Sequence, residues 1–288
     1  MSSYSSAFPA LHSLQLPLSI QGKRGWASFF PGTSTLVCPK IPTYLQHSRF
    51  ADLVHEKFDT IQRQQDPMLD WQALDLRLPT SWNSKDKAKH IDVDRLGLQL
   101  HYAGPGRSEA HAGSIRTNFA IPKHCGMFYY EVKIISKGDD GFIGIGFCTK
   151  ENDLNRLPGW DVGSYGFHGD DGHSFAGSGT GDDYGPSFTT HDVIGCGIDF
   201  TNQTGFYTKN GTMIGVAFRN IPLYQSYYPV VGLRTPGEAV TTNFGDEPFV
   251  FDINQLVKVT DQPGLLTPSP IDLSIIFCSK SNRKSPKR

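Results

Sequence analysis

The chain has 288 residues, a formal net charge of -1, 30 glycines and 12% aromatic residues. Near-balanced charge excludes a general nucleic-acid binder, which needs a basic field to neutralise phosphates. The five cysteines (Cys38, Cys125, Cys148, Cys196 and Cys278) are odd in number, widely spaced and free of CxxC, which excludes a disulfide framework or a zinc knuckle and points to a reducing compartment.

At roughly 100–200 residues per domain, this length admits one or two domains. Residues 1–42 are rich in Ser, Pro and Gly without a sustained period, so they read as disordered, with Trp26, Phe29 and Phe30 available for a local docking contact. The opening "MSSYSSAFPALHSLQLPLSI" lacks a basic n-region, and Pro9, His12 and Pro17 interrupt its apolar residues, so it does not read as a signal peptide. No run approaches the ~18 apolar residues of a membrane span.

Residues 43–78 form a helical lead-in. Phe50, Leu53, Val54, Phe58 and Ile61 recur at three- and four-residue steps, which predicts one apolar stripe packed on a neighbouring domain. Thr43 with Gln46 suggests a capping box, and Pro67 marks the end. From about Leu96 the period changes to two. "GLQLHYAG", "SIRTNFAI", "MFYYEVKIIS", "GFIGIGFCT", "DVIGCGIDF", "TGFYTKNGTMIGVAF", "YYPVVGL" and "AVTTNFG" predict short strands separated by Gly, Pro, Asn and Asp. Asn210-Gly211 predicts a type I′ hairpin turn. No ten-residue helical stripe interrupts this region, which excludes alternating βαβ units. The expectation is an all-β fold, two antiparallel sheets over residues 79–253. Residues 254–288, ending in the basic "SKSNRKSPKR", are expected to be a flexible tail.

Motifs for chemistry are sparse. "GSGTGDDYG" lacks GKS/T and opens no helix, so it is not a phosphate loop. No GxSxG surrounds Ser164 or Ser174. Asp182 and Asp183 are adjacent and would diverge rather than face each other across a cleft. The densest cluster is "SYGFHGDDGHSF". It reads as a hairpin with Gly169-Asp170-Asp171-Gly172 as its loop and His168 and His173 as cross-strand neighbours. Two imidazoles with Asp170 or Asp171 could share a metal. The structural alternative is a glycine-bracketed turn whose aspartates bond their own backbone.

Longer blocks carry a resemblance. "LPTSWNSKDKAKHIDV", "IPKHCGMFYYEVKIISKGDDGFIGIGF", "NRLPGWDVGSYGFHGDDGHSF", "YGPSFTTHDVIGCGIDF", "YYPVVGLRTPGEAV" and "NFGDEPFVFDI" are similar to the SPRY domain of the Ran-binding protein M family, from about Leu78 to Ile253. The resemblance implies a SPRY β-sandwich with no catalytic residue, no metal and no cofactor. "HGDDGHSF" would then belong to the scaffold and its loops. It implies a non-enzymatic scaffold that binds peptides or partner proteins, of the type found in the GID/CTLH E3 ubiquitin ligase, whose subunits and substrates are the implied partners. The balanced charge and the lack of a long apolar run point to no nucleic acid and no membrane as partners, and the expected location is cytoplasmic with the nucleus as a second. By the same resemblance, the partner-binding residues lie on four loops. "GRSEA" offers Arg107, "GDDG" offers Asp139 and Asp140, "RLPGWD" offers Trp160, and "LRTPGE" offers Arg234, Thr235 and Pro236. Relatives continue into LisH, CTLH and CRA helical segments. The 35 residues after Ile253 show no helical stripe long enough for these, which leaves open a truncated form, a splice form or a stand-alone SPRY protein. Two other functional classes stay on the table: a carbohydrate-binding lectin-like sandwich and a metal-dependent enzyme at His168 and His173.

Overall fold

The computed structural model describes residues 40–64 and 76–260. Its fourteen described strands form two antiparallel sheets. The first sheet has seven strands in the order β1 (Trp82–Lys87), β4 (Gly113–Thr117), β13 (Tyr228–Leu233), β6 (Gly144–Cys148), β7 (Ser164–His168), β8 (His173–Ala176) and β9 (Asp182–Asp183). The second has the order β12 (Thr212–Phe218), β11 (Thr204–Lys209), β10 (Val193–Asp199), β5 (Met127–Lys137), β14 (Glu238–Asn243), β3 (Gln99–Tyr102) and β2 (Ile91–Val93). Every predicted strand is present. β1, β2 and β9 were not predicted, because they are short or polar ("WNSKDK", "IDV", "DD") and carry little alternation. The β11–β12 hairpin closes as expected: Asn210 and Gly211 have φ of +51° and +78°, the two positive values a type I′ turn demands.

The core lies between the inner faces, with Ile115, Tyr130, Val132, Ile145, Phe147, Phe167, Tyr207 and Val231 buried. Two hydroxyls cross it and find acceptors on β6: Tyr130 donates to the Gly146 carbonyl (2.6 Å) and Tyr207 to the Ile145 carbonyl (3.0 Å). Buried phenols need such partners. β5 departs from simple alternation, since Met127 to Val132 are buried on both faces. A second apolar layer covers its outer face. Tyr129 packs against Phe249 and Phe251 at 5.0 and 5.7 Å between ring centroids. Glu131, also buried, holds the covering segment by accepting the Val250 and Phe251 N–H groups, each at 2.9 Å. Beyond the end of β14, the Tyr44 hydroxyl binds both the N–H (3.2 Å) and the carbonyl (3.5 Å) of Tyr129, standing in for a ladder partner.

Two helices flank the sandwich. α1 (Arg49–Gln64) buries Phe50, Ala51 and Val54, with Leu53 partly buried against the core, so the predicted stripe packs inward. Its cap is not Thr43. Thr43–Leu45 is a separate 3-10 turn, and Ser48 caps α1, its Oγ accepting the Ala51 N–H at 3.3 Å. Pro67, the side chain of Ile61 and the proposed contact through Trp26, Phe29 and Phe30 lie outside what is described.

The flexible tail expected from residue 254 needs correction at its start. α2 (Ile253–Thr260) continues the fold, with Ile253 and Leu256 buried and Val257 packed on the core. Its stripe is only about one turn long, too short to register as a period. Asp252 Oδ1 accepts the Gln255 N–H at 3.0 Å, and this Asp-x-x-Gln spacing is a helix-start signal. Residues 261–288 lie outside the described residues.

Candidate partner-binding surface

The chain reverses from β13 to β14 in the tight turn Arg234–Glu238, organised by one carboxylate. Glu238 is 1% exposed, as is Thr235. Its Oε2 accepts the N–H groups of Arg234 (2.6 Å) and Thr235 (2.9 Å), and its Oε1 accepts the Thr235 hydroxyl (2.6 Å). Burial raises this carboxyl above the usual range, and the hydrogen bonds from the turn pull the other way. The turn is therefore rigid at its base, while Pro236 and Gly237 stay exposed.

Two further loops lock onto it. Asp139 donates its N–H to the Pro236 carbonyl at 3.1 Å. Gly138, at φ +64°, allows that approach, because a Cβ there would meet the Pro236 carbonyl oxygen at 2.5 Å and the Glu238 nitrogen at 2.6 Å. Gly106 packs against the Pro236 ring from the loop that joins β3 to β4. That loop is held by Tyr102, whose hydroxyl donates to the His111 carbonyl (2.7 Å) and accepts the Gly106 N–H (3.2 Å), and by His111, whose Nδ1 accepts the Arg107 N–H (3.1 Å). Arg107, Asp139 and Asp140 are exposed. Arg234 is half-buried, its guanidinium carbon 3.2 Å from the centre of the Phe142 ring, a cation–π contact. Its Nε is buried and makes no hydrogen bond among the described residues.

Trp160 arrives by a different route. The β6–β7 connection folds back over the outer face of the first sheet, where Pro158 lies on a floor of glycines. A Cβ at Gly144 would come within 2.9 Å of Pro158 and one at Gly232 within 2.6 Å, and one at Gly166 would collide with the Pro158 carbonyl. The same carbonyl accepts a hydrogen bond from His168 Nε2 at 2.8 Å. His168 is 3% exposed, stacks on Phe175 at 4.0 Å and supports the Trp160 ring at 6.3 Å. Burial pushes its imidazole down to about 4, and the nearby Arg234 charge adds to that shift. Arg156 sits over the Trp160 ring, its guanidinium carbon 5.2 Å from the ring centre. Arg156 Nε also lies 2.7 Å from Asp161 Oδ1, an ion pair without the alignment of a hydrogen bond. Trp160 is half-buried, so it covers a small second core and also presents surface.

The structure thus gathers Arg107, Asp139, Asp140, Arg234, Thr235 and Pro236 at one end of the sandwich, with Trp160 reaching toward it along the outer face. Thr235 is the exception in kind: its side chain points into the turn. Sequence reasoning missed Phe142, Glu238, Tyr102 and His111, which fix the loops rather than decorate them. Glu238 follows Arg234 by four residues, but nothing in the sequence shows that its carboxylate turns inward.

The hairpin at "HGDDGHSF" forms in the expected register. Tyr165, Gly166 and Phe167 pair with Ala176, Phe175 and Ser174, which sets His168 opposite His173. The two rings have separate engagements. His168 bonds to Pro158, whereas His173 lies between Asp183 (2.9 Å) and Asp171 (3.4 Å). Among the described residues no three His, Cys, Asp or Glu side chains are grouped to hold a metal.

Comparison with known proteins agrees with this architecture. Residues 127–247 match the SPRY domain family. Ran-binding protein 9 of Xenopus laevis is 54% identical over 180 residues, 62% of this chain and 32% of its own length. Ran-binding protein 10 of Danio rerio is 56% identical over 181 residues, 63% of this chain and 30% of its own. The Ran-binding protein M homolog of Arabidopsis thaliana is 36% identical over 177 residues, 61% of this chain and 38% of its own. The chain spans about a third of the length of these relatives. Residues 127–247 are thus similar to the SPRY domain family, and about 180 residues around them are similar to the matching region of Ran-binding proteins.

Proposed function

We propose that this chain is a non-enzymatic interaction module that binds a short peptide segment or partner surface through the loops carrying Arg107, Asp139, Asp140, Trp160, Arg234 and Pro236. We extend this to a scaffold role in a GID/CTLH-type E3 ubiquitin ligase, in the cytoplasm and with the nucleus as a second location. The observation that carries the reading is the convergence of two loops on one turn, which the buried carboxylate of Glu238 holds. Ordering loops in advance lowers the entropic cost of binding. Arg and Trp, the surface's anchors, are the residue types on which interface energies concentrate.

The test is recovery of partners from native cells with the tagged full chain. Wild type should bring down LisH/CTLH proteins and a RING subunit. Trp160→Ala and Arg234→Ala should each weaken binding of the recovered partner by roughly 30-fold, as a loss of ~2 kcal/mol implies, with unfolding curves intact. Normal binding by both folded variants would assign the surface elsewhere. Recovery of no ligase subunit by wild type would remove the scaffold role.

A further inference from the structure

A second candidate site lies at the opposite end of the sandwich. The eleven residues of β5 separate it from the loops above, a span of ~35 Å at strand rise. Here the segment before α1, the 3-10 turn Lys123–Cys125 and the β10–β11 turn enclose a cleft of about 500 Å³, within the ~300–1,000 Å³ of ligand pockets. Leu45, Met127 and Val257 contribute its apolar floor. His47, Arg49, Lys123 and His124 stand around it, all exposed.

The charge around this cleft is one-sided. Arg49 already pairs with Glu56 at 3.1 Å. Lys123, His124 and His47 have no ion pair among the described residues. The one carboxylate in the wall, Asp199, is consumed by its own turn: Oδ1 accepts the N–H groups of Thr201 (2.8 Å) and Asn202 (2.9 Å), and Oδ2 accepts the Asn202 side-chain amide (2.7 Å). The wall opposite is anchored by the two hydrogen bonds of Tyr44 to β5.

We infer that this cleft docks a short acidic segment of a partner protein, with carboxylates against Lys123 and His124 and one apolar side chain on the floor of Leu45, Met127 and Val257. The apolar floor argues for a peptide over a simple anion. A nucleic acid would need a longer basic field than a chain of net charge -1 supplies here. This inference does not depend on the function proposed for the loop surface.

Fluorescence anisotropy of the full chain with fluorescein-labelled peptides tests it. The probes are a Glu/Asp-rich peptide with one central Leu, the same peptide with Ser for Leu, its Lys-for-Glu counterpart, and inorganic phosphate as competitor. The acidic Leu peptide should bind, and binding should weaken with salt. It should weaken about tenfold in the Lys123→Glu/His124→Glu variant, by a smaller factor in Lys123→Ala, and not at all in Trp160→Ala. Equal binding of the Ser or Lys peptides, displacement by millimolar phosphate, or indifference to the Lys123 and His124 changes in variants with normal unfolding curves would each overturn the proposal. Loss of binding in Trp160→Ala alone would assign the peptide to the loop surface instead.

Discussion

Glu238 offers the sharpest test of how the loop surface is held. Glu238→Ala removes the acceptor of two N–H groups and one hydroxyl. The N–H of Thr235 is fully enclosed, and orphaning such a group costs about 1–3 kcal/mol. Arg234 is half-buried and its N–H can reach water, and the Thr235 hydroxyl can rotate, so each adds about 0.5–1 kcal/mol. Deleting a buried carboxylate returns part of its desolvation cost. The net expectation is a loss of about 2–3 kcal/mol in urea unfolding at pH 7. Glu238→Gln keeps one oxygen for the two N–H groups and offers its amide to the Thr235 hydroxyl, so it should cost about 1 kcal/mol or less. The sign of the pH effect is also fixed. Burial raises the folded-state pKa of Glu238 above its ordinary 4.5, so its contribution is fully present below 4.5 and is lost as pH rises through the raised value. The margin of wild type over Glu238→Gln should therefore shrink as pH climbs out of the acid range. An Ala variant within about 0.5 kcal/mol of wild type, or a Gln variant as damaged as Ala, would refute the assignment of Glu238 as the organiser of the turn.

Three other expectations follow from neighbouring packing. His168 is held neutral by burial, with its pKa down from 6.5 to about 4. It contributes stability above 6.5 that is lost as pH falls through about 4, up to about 3 kcal/mol, and His168→Gln should flatten that slope in unfolding titrations. Gly166→Ala drives a methyl into the Pro158 carbonyl and should cost about 1–3 kcal/mol, with faster proteolysis in the Trp160 loop. Wild-type cleavage rates there would contradict it. Burial pushes the thiols of Cys148 and Cys196 up to about 12, so iodoacetamide at pH 8 should modify neither, by mass spectrometry, until urea unfolds the chain. Prompt modification of either would contradict the burial.

The sequence by itself determined the strands that alternate and the turns that need special backbone. β3 is legible because burying one sheet face forces a period of two, whereas β5, β10 and β11, buried along most of their length, are legible from β-branched and aromatic residues bounded by turn residues. Asn210-Gly211 is legible because few residues accept two successive positive φ angles. The stripe of α1 was legible for the same reason at a period of 3.6. What only the tertiary structure decided is what contacts reach across the chain. β1, β2 and β9 are strands because a neighbour pairs with them, and α2 is a helix whose single apolar turn finds a place on the core. Gly144, Gly166 and Gly232 look like ordinary strand glycines until Pro158 lies over them. Glu238 looks like a surface acid until its carboxylate is seen to fill the turn that carries Arg234. A side chain's direction is set by the partners that satisfy it, and those partners are distant in sequence.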